Sequence, residues 1–257
     1  MEYVIHILNY TKQKESFYLA RRYWYVILTY ILMQLSAFPV ALLAKHHYIP
    51  VQGVIYWSIF SFILGLLIIL WIMKPDMQMR DTRNAAPMSS MILWSILGVF
   101  MAFFAQGIAV AIEMNILGIS PGSENTQGIM DIARAAPLFI IIPAVIAPIL
   151  EEIIFRKIIF GSLYKRMNFF FAGLVSALIF GFIHEGMEHI LIYASMGFVF
   201  AFLYVKTKRI LVPIIVHAAM NTLVVVGQLS MDPEEMQRQL EQMQRQVEQL
   251  QMILIGG

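Results

Sequence analysis

The chain contains no cysteine. Disulfides, thiolate metal sites and cysteine nucleophiles are therefore excluded, and any catalysis must use carboxylate, imidazole, hydroxyl or amine groups. Charge is also scarce. Only 13% of the 257 residues are Asp, Glu, Lys or Arg, and the formal net charge of +2 is too small to argue for a nucleic-acid partner. The first twenty residues carry Lys12, Lys14 and Glu15 and lack a short apolar core with a small-residue cleavage site. No removable signal peptide is expected, and the first apolar span should act as an uncleaved insertion signal. An internal repeat, the mark of many secondary transporters, is not visible.

What the chain has in abundance is apolar surface. Hydrophobic residues make up 60% of it, and the mean hydropathy is +0.73, outside the range of a water-soluble domain. Apolar runs at roughly 23–44, 53–73, 90–117, 136–157, 169–184, 190–205 and 210–229 are of a length that crosses a hydrocarbon core of about 30 Å at about 1.5 Å per helical residue. The expected fold is all-α: a polytopic membrane helix bundle of about seven (six to eight) transmembrane helices with a C-terminal amphipathic helix. Residues 1–89 read as an interfacial segment and two membrane helices, 90–229 as a catalytic membrane domain with its motif core at 130–229, and 230–257 as a tail. A polar connection from Lys74 to Pro87 is the clearest boundary in the front half. Lys and Arg clusters at Lys12–Arg22, Lys74–Arg83, Arg156–Arg166 and Lys206–Arg209 alternate with thinner sets at Lys45 and Arg134. By the positive-inside rule this predicts a multi-pass cell-membrane protein with a cytoplasmic N-terminus.

The tail starts at Asp232-Pro233-Glu234-Glu235, a cap residue followed by proline and glutamate. Met236, Leu240, Met243, Val247, Leu250 and Leu254 then recur at alternating spacings of four and three. A solvated amphipathic helix is the first reading of this stripe, and homo-oligomerisation through 236–254 the second.

Four polar clusters interrupt the oily spans. In Glu151-Glu152-Ile153-Ile154-Phe155-Arg156 each charge costs about 2.5–3.5 kcal/mol at bilayer depth on the insertion scale. Glu152 and Arg156, four apart, share a helix face and can pair, whereas Glu151 is rotated by about 100° and is left as the freer carboxylate. His184 follows Phe180 by four, and the string His184-Glu185-Gly186-Met187-Glu188-His189 misses the HExxH zinc pattern by one residue. Glu188 and His189 are expected at an outer edge or in a loop. His217 and Asn221, also four apart with small residues between them, can both donate hydrogen bonds from one face. Gln106, Glu113 and Asn115 form the fourth set, for which a solvated interface is expected at Glu113 and Asn115.

The first three clusters, in this order and spacing, read Glu-Glu-x-x-x-Arg, Phe-x-x-x-His and His-x-x-x-Asn. Over roughly residues 130–229 the chain thereby resembles the CPBP (Abi) family of intramembrane proteases, which includes CAAX prenyl endopeptidases and bacteriocin-processing or immunity proteins, and looks more like its bacterial branch. The resemblance implies an intramembrane endopeptidase acting on a peptide or membrane-protein substrate in the lipid bilayer. It implies Glu151 as the base that activates water and His184 as its partner. His217 and Asn221 would stabilise the oxyanion, and Glu152 and Arg156 would support the site. The favoured glutamate mechanism requires no cofactor, and a divalent metal such as zinc stays open. The alternatives are a non-catalytic membrane regulator or scaffold of the same fold, and a transporter or proton relay. One geometrical conflict is expected: Glu151 and His217 fall in the cytoplasmic halves of their spans, and His184 about 20 Å away by simple rise.

Overall fold

The structure is a computed structural model that describes residues 20–78, 84–120 and 122–230, with three single tail positions, 238, 242 and 245. The readings of the first nineteen residues, of the tail's helix start and of its heptad stripe lie outside the described residues.

Among the described residues there is no strand. Arg21–Leu35 (α1) and Ala37–Lys45 (α2) form the first apolar span, followed by Gln52–Gln78 (α3) and Met88–Asn115 (α4). Glu124–Ala135 (α5) is a short amphipathic helix capped by the Ser123 hydroxyl. The irregular helix Pro137–Leu163 (α6) precedes Phe169–Glu185 (α7), Ile190–Thr207 (α8) and Leu211–Ser230 (α9). Among the described residues six spans are long and apolar enough to cross a membrane, and α7 is a shorter apolar helix beside them. The chain is thus a polytopic all-α membrane bundle.

The second span outlasts the apolar run that defines it. Although Lys74-Pro75-Asp76 reads as a connection, α3 continues through it to Gln78. Asp76 is what makes this possible: it takes an ion pair from Arg22 at 2.6 Å and a hydrogen bond from the Tyr23 hydroxyl at 2.7 Å, so its charge is neutralised where α1 begins.

Helices α7 and α8 pack along their length, α8 and α9 both lie on α4, and α9 also lies on α6. Small residues allow the close approach. A methyl group at Gly181 would sit 2.8 Å from the Ile190 carbonyl oxygen, and one at Gly98 would meet Leu203 and Val216 at 2.7 Å. Without water to drive helices together, close packing of this kind is one of the sources of cohesion in lipid.

The fourth apolar span, α6, is the most enclosed. Pro137, Pro143 and Pro148 remove backbone donors, and the chain responds by changing helix type. It runs as a 3₁₀ turn over Pro137–Ile140, a π turn over Ile142–Ile146, an α turn over Ala147–Glu152 and a second π stretch over Ile153–Phe160. The helix reaches Leu163, six residues beyond the end of the apolar run.

That extension removes the depth conflict at His184. Glu151 lies twelve residues before the end of α6, about 18 Å by helical rise, and His184 fifteen residues into the antiparallel α7, about 22 Å. A short connection joins the two helices, so both side chains arrive at the same level.

Candidate active site

The site is built around the α turn between the two π stretches of α6. Glu152 and Arg156 are fully buried and pair at 3.0 Å. The guanidinium lies over three rings, with centroid distances of 4.8 Å to Phe180, 5.3 Å to Phe200 and 5.9 Å to Phe155. Its Nη atoms find no hydrogen-bond acceptor among the described residues, so ring faces stand where polar partners would otherwise be needed.

Histidine tautomers follow from the partners. His217 Nδ1 lies 3.0 Å from Glu152 Oε1. An ionised carboxylate, as the pairing with Arg156 requires of Glu152, only accepts, so Nδ1 carries a hydrogen and Nε2 is left facing Glu151 Oε2 at 3.6 Å. His184 Nδ1 lies 2.8 Å from the Phe180 carbonyl oxygen. It too must donate, and its Nε2 faces the same Glu151 Oε2 at 3.4 Å. Two basic nitrogens therefore converge on one carboxylate oxygen. A proton delivered there has three atoms to hold it, and the separations, longer than a tight hydrogen bond, are typical of catalytic groups before substrate binds.

Access differs between the two carboxylates. Glu152 is sealed, whereas Glu151 is 8% exposed and the His184 side chain 16% exposed. The sequence-based pairing of Glu152 with Arg156, and the freedom of Glu151, both correspond to the observed geometry. His217 is stacked on Phe200, with centroids 4.9 Å apart and planes 25° apart, and the Tyr193 ring holds His184 with the same separation and tilt.

Asn221 shares the His217 face of α9, but its side-chain amide donates to the Pro143 carbonyl at 2.9 Å. The reason lies in the π turn. Ala147 N–H bonds to the Ile142 carbonyl, five residues back, so the next donor in that register would be residue 148 to Pro143. Position 148 is proline and has no N–H. Asn221 supplies the missing hydrogen bond and ties α9 to the turn that carries Glu151. Asn221→Leu should cost about 1–3 kcal/mol by leaving that buried carbonyl unsatisfied. Pro148→Ala restores a backbone donor and should recover part of the loss, as thermal melting of the double variant would show. A second such tie is the Ser176 hydroxyl, which donates to the Phe155 carbonyl at 2.9 Å and joins α7 to the other π stretch.

One expectation needs correction. Glu113 does not face solvent: it is 2% exposed and bonds His189 Nδ1 at 2.8 Å and the N–H groups of Leu191 and Ile192 at 3.1 and 3.3 Å. The helix pattern placed it near the end of α4, but α8 starts against that end and its unpaired N–H groups draw the carboxylate inward. His189 and Glu188 lie in the loop between α7 and α8, as expected, but His189 is buried there while Glu188 is exposed beside it, and Asn115 is exposed at the end of α4. The one available signal was energetic, since an acidic residue within an apolar run needs a partner. Tyr30 of α1 is buried in the apolar cluster that holds Leu150, Ile154 and Phe155, and its hydroxyl accepts a hydrogen bond from Gln34. A tyrosine in an aromatic-rich span has no sequence signature that separates it from packing.

Among the described residues no group of three His, Asp or Glu side chains is arranged to hold a metal ion.

The model of the type II CAAX prenyl endopeptidase Rce1-like family matches residues 133–223, a stretch that contains every residue of the Glu151 cluster. The chain is 47% identical over 232 residues to a Bacillus subtilis protein named "Putative membrane peptidase YdiL", covering 85% of this chain and 94% of that one. It is 34% identical over 234 residues to the Staphylococcus aureus "Membrane-embedded CAAX protease MroQ", covering 84% and 94%. No solved structure matches it.

Proposed function

For this chain, which belongs to the Rce1-like family of CAAX-type membrane proteases, we propose that Glu151 is the general base of a peptide-bond hydrolysis carried out inside the membrane. The observation that supports this reading is the convergence of two imidazole Nε2 atoms on one Glu151 carboxylate oxygen. In the reaction, a water oxygen attacks the scissile carbonyl carbon while its proton passes to Glu151. His184, fixed by Phe180, shares that proton and returns it to the amine as the C–N bond breaks. Asn221 turns to the tetrahedral oxyanion the amide hydrogen that it does not give to Pro143, and His217, its Nδ1–H held by Glu152, does so with a proton that its basic Nε2 takes up from solvent before the attack. Glu152 and Arg156 hold His217 rather than substrate.

The substrate is a peptide or the terminus of a membrane protein, reached through the bilayer. The names of its relatives make a CAAX sequence the first to try. The alternation of basic and neutral loops supports an orientation with the N-terminus cytoplasmic.

The test is cleavage of two internally quenched probes, a prenylated CAAX peptide and a transmembrane peptide, by the purified chain in nanodiscs. Cleavage of at least one is expected, unchanged by 1,10-phenanthroline. His184→Ala should lower turnover by about 10²–10⁴-fold, the usual contribution of a positioned acid–base group. Activity that vanishes on chelation and returns with zinc would overturn the metal-free mechanism. A folded chain that cuts neither probe would count against the peptidase reading itself.

A further inference from the structure

The direction of His184 Nε2 depends on what surrounds the His184 ring. His184 belongs to the last turn of α7, one residue from the helix end, and Gly186 immediately beyond has a positive φ of 63°. Its own helix contributes the Phe180 carbonyl and the Phe180 ring, 4.2 Å away and tilted by 42°. Tyr193 of α8 stacks on the ring as well, centroids 4.9 Å apart and nearly parallel at 25°.

Tyr193 is itself placed from outside the α7–α8 pair. It lies in the first turn of α8, and its N–H bonds back to the His189 carbonyl. That turn is held by Glu113, whose carboxylate accepts hydrogen bonds from Leu191 N–H, Ile192 N–H and His189 Nδ1. An acidic side chain there satisfies helix donors that have no intrahelical acceptor and opposes the positive end of the helix dipole. The Tyr193 hydroxyl meets the Ser123 hydroxyl at 3.1 Å, and Ser123 caps α5. Two anchors, one from α4 and one from the start of α5, thus fix the wall against which His184 rests. Both anchors, Glu113 and Ser123, lie before the segment matched by the family model.

We propose that Glu113 and Tyr193 are positioning residues for His184: Glu113 locks the first turn of α8, and that turn presents the Tyr193 ring that sets the direction of His184 Nε2 toward Glu151. This rests on the functional reading above only for its consequence in turnover. The placement of the ring can be measured by itself.

The experiment uses the full chain in nanodiscs, labelled with ¹⁵N-histidine, the His184 signals being assigned by their loss in His184→Asn. Glu113→Ala and Tyr193→Leu are expected to shift the His184 ring resonances and to lower kcat on whichever peptide probe the wild type cleaves by about tenfold or more, with KM within about twofold, as misplacement of a catalytic group does. Glu113→Gln, whose amide oxygen still accepts from Leu191 and Ile192, should stay within about threefold of wild type, and Tyr193→Phe, which keeps the stack but gives up the Ser123 contact, should fall between wild type and Tyr193→Leu by the same argument. Unmoved His184 resonances in folded Glu113→Ala would overturn the proposal. So would a lowered melting temperature without any such shift, which would make Glu113 a folding residue only. Should Glu113→Ala fail to fold, Tyr193→Leu decides by the same two readings. Shifted His184 resonances in a chain whose Glu151→Gln variant still turns over would retain the positioning unit and remove the catalytic reading.

Discussion

Glu151→Gln should lower peptide turnover by about 10³-fold, within the range removed when a general base is deleted, and leave the protein folded. The substitution preserves shape and hydrogen-bonding length but removes the ability to take a proton from water. The surroundings predict that this loss is not made good by a neighbour. Glu152 is fully buried and committed to Arg156 and His217, so it neither meets water nor has a free oxygen aimed at substrate. The two histidines still present Nε2 to the site but would then face a neutral amide, with no carboxylate to balance a proton on either ring. Glu151→Asp retains the charge at shorter reach and should fall between wild type and Glu151→Gln. The measurement is single-turnover cleavage of the same probes, with thermal melting as the control for folding. Undiminished turnover in folded Glu151→Gln would refute the mechanism.

The second large effect is on stability and is expected at Arg156. Its guanidinium neutralises Glu152 at 3.0 Å in a site with no exposure at all, and Arg156→Met would leave that carboxylate uncompensated. Breaking one partner of a buried pair costs about 3–5 kcal/mol, a large part of the stability of any domain. The cation–π contacts to Phe180 and Phe200 go with it. Because those rings also border His184 and His217, turnover should fall in parallel. Glu152→Gln combined with Arg156→Met removes both charges and should be less destabilising than Arg156→Met alone, since no unpaired ion remains. Equilibrium unfolding in mixed micelles measures the difference. Equal loss in the single and double variants would show that shape, rather than charge, is what Arg156 supplies.

The role of the irregular helix also separates what is local from what is not. Three prolines in one apolar span announce that backbone donors are missing, and that much can be read from residues 137, 143 and 148. Which carbonyl is orphaned depends on the helix register. Only the π turn at Ile142–Ile146 assigns it to Pro143 and thereby gives Asn221 a structural task.

Much of the protein was determined by sequence alone, because hydropathy and helical spacing are short-range properties. The seven apolar segments, the all-helical class, the Glu152–Arg156 pair and the separate standing of Glu151 all follow from runs and i,i+4 relations. Tertiary structure decided what depends on the lengths and joints of different helices. It brought His184 level with Glu151, because α6 runs six residues past its apolar stretch. It turned Glu113 inward, because the start of α8 brings unpaired N–H groups to it. It set Tyr193 against His184, and Tyr30 within the apolar cluster around Leu150, from helices whose sequences mark them only as aromatic. In each case the deciding contact joins residues distant in the chain, where no periodicity reaches.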